Sequence, residues 1–241
     1  MKIDVLPIFG KQLDAQLQDT TVIVVDVLRA TSSIICALNG GALKVVPTVD
    51  AGDAVALASR LGMRECVLAG EREGVKIAGF ELGNSPEDYL SRTVRNKTVI
   101  VSTTNGTGAL YSVRSADKVL LGSMINRTAA AQAAACDGND ILIVCAGTEG
   151  QPSADDLVTA GAIINAVRIF ATIREGDLSD MAILCENLYE NWKEGSFDLS
   201  KTYHYSRLVS LGFEEDVKFC FTPDSTNTVP IYRDGVIMKL N

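Results

Sequence analysis

Apolar and polar positions follow two alternating rhythms along the chain. Short runs rich in β-branched residues, of which residues 21–25 are the clearest, read as strands buried on both faces, since a strand with one wet face would interleave polar side chains. Strands are predicted at residues 2–6, 21–25, 43–46, 65–69, 98–102, 118–121 and 141–144. Between them lie helical patterns at 33–39, 50–61, 108–113, 127–136 and from Ser153 to about residue 172, with a short helix after Ser85-Pro86. Strand and helix in this alternation build βαβ units, so an α/β fold with a mostly parallel sheet is expected.

Turn and cap signals sharpen the boundaries. Gly40-Gly41 and Gly62 stop two helices, and Thr31, Ser32, Asn126 and Ser153 stand where N-caps belong. Residues 180–211 read as helical, with Leu184, Leu188 and Trp192 forming an apolar stripe expected to pack in the core. Asp234-Gly235 between two alternating runs predicts a type I′ hairpin at the end of the chain. No fixed-period repeat or low-complexity linker divides residues 1–241. One domain is expected, or two packed lobes: an α/β core to about residue 175, then the helical segment and hairpin.

In parallel sheets ligands gather beyond the carboxyl ends of strands, and four strands end there in polar, glycine-bearing loops, around Asp26, Glu71, Thr104 and Gly147. The longest, residues 70–86, carries glycines at 70, 74, 79 and 83 and mixes carboxylates with Arg72 and Lys76, which suits a metal ion beside an anion. Residues 102–107 offer hydroxyls, an amide and backbone N–H groups before a helix, which suits a phosphate or sulfonate. Asp155-Asp156 opens a helix, where a dipole-complementing role and a ligand role both stay open.

Composition narrows the chemistry. A net charge of −8 without a long basic run argues against nonspecific nucleic-acid binding, so an anionic ligand needs a local basic pocket. The apolar runs are too short to span a membrane and the first residues lack a signal peptide's core, so a cytoplasmic protein is expected. Six cysteines without a C-x-x-C pair read as free, mostly buried thiols. With His204 the single histidine, zinc cages are hard to build, and a working metal would be a hard ion held by oxygen.

Familiar phosphate motifs fail in turn. Gly106-Thr107-Gly108-Ala109-Leu110-Tyr111 puts tyrosine where a dinucleotide fingerprint needs glycine, and no P-loop lysine motif exists. Cys145 stands at a strand end, but Gln151 occupies the place of the arginine that a phosphatase thiolate requires, so a packed, structural Cys145 is expected. Leu28 replaces the second aspartate expected two residues after an aspartyl nucleophile.

Several pieces together resemble the magnesium-dependent 2-phosphosulfolactate phosphatases. They are Val25-Asp26-Val27-Leu28-Arg29-Ala30-Thr31-Ser32, Gly70-Glu71-Arg72 with Gly79-Phe80-Glu81-Leu82-Gly83-Asn84-Ser85-Pro86, Thr103-Thr104-Asn105-Gly106-Thr107, and Cys145-Ala146-Gly147 followed by Asp155-Asp156 and Ala160-Gly161. One departure is Ala154-Asp155, where a glutamate is expected before the second aspartate. The resemblance implies a three-layer α/β/α architecture, Mg²⁺, and hydrolysis of 2-phospho-3-sulfolactate to 3-sulfolactate and phosphate, a step of coenzyme M biosynthesis. Mg²⁺ would be held by some of Asp26, Glu71, Asp155 and Asp156, with Asp26, Glu71 and Asp156 catalytic. Arg29, Arg72, Lys76, Asn84, Ser85, the Thr103, Thr104, Asn105, Gly106 and Thr107 loop, and Gly147 would hold the small anionic substrate, with Arg72 taking the sulfonate. The nucleophile stays open between metal-bound water, Asp26 and Cys145, and the oligomer between monomer and homodimer. A broader phosphomonoesterase of small phosphorylated hydroxyacids and a noncatalytic anion-binding protein are the alternatives.

Overall fold

The computed structural model describes residues 1–10, 17 and 19–240. Its strands are β1 (Ile3–Leu6), β2 (Thr20–Val25), β3 (Lys44–Pro47), β4 (Cys66–Arg72), β5 (Val75–Lys76), β6 (Thr98–Ser102), β7 (Lys118–Gly122), β8 (Asp140–Cys145), β9 (Pro230–Arg233) and β10 (Val236–Lys239). The helices are α1 (Ala30–Asn39), α2 (Ala51–Leu61), α3 (Gly106–Ser112), α4 (Arg127–Ala135), α5 (Ala154–Phe170), α6 (Asp180–Lys193), α7 (Tyr203–Ser210) and α8 (Glu214–Cys220).

All these strands join one sheet in the order β1-β8-β2-β7-β9-β10-β3-β6-β4-β5. Two parallel blocks, β1-β8-β2-β7 and β3-β6-β4, are joined by the C-terminal hairpin, whose strands run antiparallel to their neighbours. Asp234 and Gly235 both take positive φ (52° and 80°), as a type I′ turn requires. The hairpin is local in sequence but central in space: Tyr232 pairs with Val119 and Ile237 with Val45, and both hairpin side chains are buried.

Alternation along β2 creates the layers. Val22 and Val24 face a core shared with Ile34, Ile35 and Leu38 of α1 and Leu110 of α3. Ile23 and Val25 face the opposite core, with Ala131 and Ala134 of α4 and Ile163, Ile164 and Val167 of α5. Each fully buried Val or Ile contributes roughly 1.5–3 kcal/mol, and a one-residue slip would exchange the two faces, so the register is firmly specified. Helix α2 covers β4 and β6 through Ala54 and Ala58, which pack on Cys66, Leu68 and Ile100. The architecture is therefore three-layer α/β/α.

Two expectations change. On α6, Leu184 is 60% exposed, and the buried face is Ala182, Cys185 and Tyr189, with only Leu188 and Trp192 of the stripe packed inward. Helix α5 causes this: a β-carbon on Gly161 would lie 2.0 Å from the Cys185 carbonyl oxygen, so the two helices meet backbone to backbone with Cys185 facing α5 and Leu184 facing outward. The loop 70–86 is also less open than expected. Strand β4 runs on to Arg72, turns through Glu73-Gly74 (φ 54° and 85°) and pairs back with β5, while a 3-10 turn, Pro86–Leu90, replaces the short helix.

A smaller core, in which Val27, Leu28 and Val158 pack on Leu199, Leu208 and Val217, seats α7 and α8 beyond the carboxyl end of β2. That docking closes one side of the candidate site. No helix among the described residues is long and apolar enough to cross a membrane.

Candidate active site

The site begins with Asp26, immediately after β2. Its Oδ1 accepts a hydrogen bond from Ala30 N (3.1 Å), the first N–H of α1, whose N-cap position is held by Arg29 without a side-chain cap and not by Thr31 or Ser32. Thr31 instead braces the turn, its N and Oγ1 each donating to the Asp26 carbonyl at 2.9 Å, and Ser32 Oγ donates to the Val27 carbonyl (2.7 Å). Asn126 and Ser153 likewise make no side-chain cap to α4 and α5: Asn126 receives Ser123 N (2.9 Å), and Ser153 donates to Asp155.

A cleft over these strand ends is lined by Asp26, Leu28, Arg29, Glu71, Glu73, Gly74, Asn84, Thr103, Thr104, Asn105, Thr148, Glu149, His204, Arg207 and Leu208. Three of the four expected strand ends meet there directly, and the fourth through Thr148 and Glu149. Glu71 joins two of them: its Oε2 accepts from Gly74 N (2.7 Å) and its Oε1 from Thr104 N (2.8 Å). The hydroxyls of Thr103 and Thr107 lie 3.2 Å apart and tie the threonine loop to the start of α3.

The basic residues divide sharply. Arg29 lines the cleft but is 3% exposed, held by Asp216 Oδ2 (2.5 Å), the Gly74 carbonyl (2.9 Å) and the ring of Phe213, 4.0 Å away. Ser85 also serves Asp216, donating to Oδ2 at 2.7 Å. Arg72 is absent from the cleft lining and donates to the carbonyls of Glu71 (2.7 Å) and Ser102 (3.1 Å) and to Ser102 Oγ (2.8 Å). Lys76 is exposed on β5, also off the lining.

The two helix-opening aspartates do different work. Asp156 staples two strand ends, accepting from Val27 N (2.9 Å) and Gly147 N (3.0 Å). Burial and the neighbouring charges of Asp155 and Asp26 push its carboxyl well above the usual range, against the pull of those two N–H groups. Asp155 holds Ser153 through one oxygen and His204 Nδ1 through the other, at 3.1 Å. Burial alone would lower the His204 pKa, but the Asp155 bond and charge, with Asp26 behind them, raise it. Burial raises Asp26 to about 6, opposed by the Ala30 N–H and His204 and assisted by Glu71 and Asp155. Cys145 is fully buried off the cleft, and burial beside Asp156 holds its thiol protonated.

Two residues that line the cleft, Asn84 and Thr148, each carry a buried side-chain oxygen, Oδ1 and Oγ1, with no hydrogen-bond partner among the described residues. Such groups are costly to leave unsatisfied, and their placement fits a ligand. Among the described residues no three His, Cys, Asp or Glu side chains gather closely enough to hold a metal by themselves. Asp155 and Asp156 do not line the cleft; of the carboxylates that do, Asp26 and Glu71 are buried whereas Glu73 and Glu149 are exposed, and buried Asn84 lines the same wall. That oxygen-only set fits a hard divalent cation, which takes one or two carboxylates and keeps positions for water and phosphate.

His204, Arg207, Glu149, Thr148 and Asp216 were not singled out as site residues from the chain. Thr148 and Glu149 lie in the strand-end loop around Gly147, and His204 is the sole histidine; Arg207 and Asp216 carried no signal.

A sequence profile of the 2-phosphosulpholactate phosphatase family matches residues 9–235. A protein of Caldanaerobacter subterraneus subsp. tengcongensis described as a probable 2-phosphosulfolactate phosphatase is 41% identical over 225 residues, 93% of this chain and 92% of that protein. Proteins of Clostridium novyi and Clostridium acetobutylicum with the same description are each 36% identical, over 99% of this chain and 100% of their own.

Proposed function

The chain belongs to the 2-phosphosulfolactate phosphatase family, and from that premise we propose that it hydrolyses 2-phospho-3-sulfolactate to 3-sulfolactate and inorganic phosphate with bound Mg²⁺. The observation that carries the reading is the charge of the cleft. Four carboxylates, Asp26, Glu71, Glu73 and Glu149, share its wall with two arginines and one histidine. A substrate with phosphate, carboxylate and sulfonate groups meets repulsion there unless a cation accompanies it.

Asp26 and Glu71, with Asn84 Oδ1, would hold that cation. Mg²⁺ bound there supplies neutralisation of phosphoryl charge and acidification of a water molecule. The residues of the chain do the rest. Glu71, fixed by Gly74 N and Thr104 N, keeps the threonine loop in register with the carboxylates, so that Thr103, Thr104 and Asn105 present donors to the phosphate. Arg29 is too firmly held to move, and its fixed charge favours the developing negative charge without reorganising.

Hydrolysis forms a bond from water oxygen to phosphorus and breaks the bond from phosphorus to the ester oxygen, which must take up a proton. His204 suits that transfer. Asp155 engages Nδ1 and fixes the ring, leaving Nε2 for the cleft, and the Asp155 bond and charge make the ring hold its proton more tightly than an ordinary imidazole does.

The test is phosphate release from 2-phosphosulfolactate, with Mg²⁺ and after exhaustive chelation, by the wild type and Asp26→Asn. Metal-dependent release that falls at least a hundredfold in Asp26→Asn is expected. Undiminished turnover under chelation, or no turnover of this ester, would overturn the proposal.

A further inference from the structure

The reaction proposed above, on which this inference rests, sets a problem of anion selection. Phosphate and sulfonate sit on neighbouring carbons of the substrate, and a cation at Asp26 and Glu71 serves the phosphate. A second positive group must be free to meet the sulfonate.

Competition among the arginines decides which. Moving Arg29 would strand Asp216 in a buried setting without its partner, a heavy penalty; the side chains of this pair are 2% and 11% exposed. Arg72 has turned to the end of β6 and is absent from the cleft wall. Arg207 differs from both. Its side chain is 32% exposed and its contacts are long: 3.6 Å to Glu149 Oε1, 3.5 Å to Tyr203 OH and 3.4 Å to the Glu73 carbonyl. Glu149 is itself 55% exposed, and exposed pairs at such distances contribute little net stability. A tetrahedral anion that receives two parallel N–H bonds from the guanidinium competes well against that partner.

A second, independent feature lies on the same wall. Thr148, adjacent to Glu149, is 8% exposed, and its buried hydroxyl has no partner among the described residues. Arg207 also stands one turn beyond His204 on α7, so both reach the cleft from the same helix face.

We propose that Arg207 and the Thr148 hydroxyl form the sulfonate subsite, with Glu149 as the resting counter-ion that the sulfonate displaces. Glu149 thereby screens against ligands too weakly anionic to displace it. Specificity comes from this exchange rather than from the metal end of the cleft.

Two measurements test the subsite. Kinetics compare 2-phosphosulfolactate with 2-phospholactate, which lacks the sulfonate, and calorimetry compares binding of 3-sulfolactate with lactate, which needs no turnover. The wild type should favour the sulfonated member of each pair. Arg207→Ala should cut that preference by about tenfold or more, chiefly through KM, with Arg207→Lys recovering part of it. Thr148→Val should reduce it less, and Glu149→Gln should lower KM for the sulfonated ester. A thermal melt of each variant checks folding, and Glu149→Gln tests the exchange without removing the arginine. The subsite is refuted if the wild type shows no preference in either assay, or if Arg207→Ala weakens both members of each pair alike. Sulfolactate binding that depends on Arg207 in a protein that releases no phosphate would refute the proposed reaction and support the subsite.

Discussion

A β-carbon placed on Gly106 would lie 2.9 Å from Oδ2 of Asp26 and 2.7 Å from the β-carbon of Ala30. The threonine loop thus packs its backbone directly against the carboxylate at the centre of the cleft. Gly106→Ala must therefore push on Asp26 or on the first turn of α1. Such overpacking costs about 1–3 kcal/mol. The expected outcome is a Tm lowered by several degrees with a larger fall in kcat than the folded fraction explains, read by calorimetry and phosphate release. An unchanged kcat would show that Asp26 tolerates displacement.

Arg72 makes its hydrogen bonds to the ends of β4 and β6, not to the cleft. Arg72→Ala is accordingly expected to destabilise the fold by about 1–3 kcal/mol. It should change kcat/KM for phosphosulfolactate and phospholactate by the same factor. A selective loss of the sulfonated substrate would return the sulfonate role expected from the sequence to Arg72 and take it from Arg207.

The His204–Asp155 pair makes stability depend on pH in a definite direction. Because the folded-state pKa of His204 lies above its ordinary 6.5, the folded state binds the proton more tightly than the unfolded state. The contribution is fully present below about 6.5 and is lost as pH rises through the folded value. The stability gap between wild type and His204→Gln, from urea titrations at a series of pH values, should be widest below about 6.5 and narrow as pH rises beyond it. A gap that widens with rising pH would contradict the assignment.

Asp26 shifts in the same direction as His204, and its shift bears on a metal. Burial holds its carboxyl near 6 rather than 3.8, so its contribution to stability is present below 3.8 and is lost as pH rises through about 6. A divalent cation offsets that loss only where the carboxylate is ionised, because metal and proton compete. Mg²⁺ should raise Tm clearly at pH 7.5 and little at pH 5. Equal shifts at both pH values would place the ion away from Asp26.

The chain by itself determined the strand and helix alternation, because strands buried on both faces must be written as β-branched runs such as residues 21–25. It also marked Asp26, Glu71, Asn84 and Thr103 to Asn105 as candidate site residues, since loops at the carboxyl ends of parallel strands converge wherever the sheet forms. The Asp234-Gly235 turn was equally legible, its conformation being a local steric matter, but nothing local said that its strands would join two parallel blocks.

Tertiary structure decided which of two sequence neighbours faces the cleft. Glu71 and Arg72 are adjacent on one strand and point oppositely, so only the pleat of β4 separates a wall residue from one that caps β6. Asp155 and Asp156 lie about 100° apart around a helix, which sends one to His204 and the other to the ends of β2 and β8. His204, Arg207 and Asp216 reach the site because α7 and α8 dock by Leu208 and Val217 onto the core around Val27 and Leu28. That contact spans nearly two hundred residues of chain, and no periodicity within either segment encodes it.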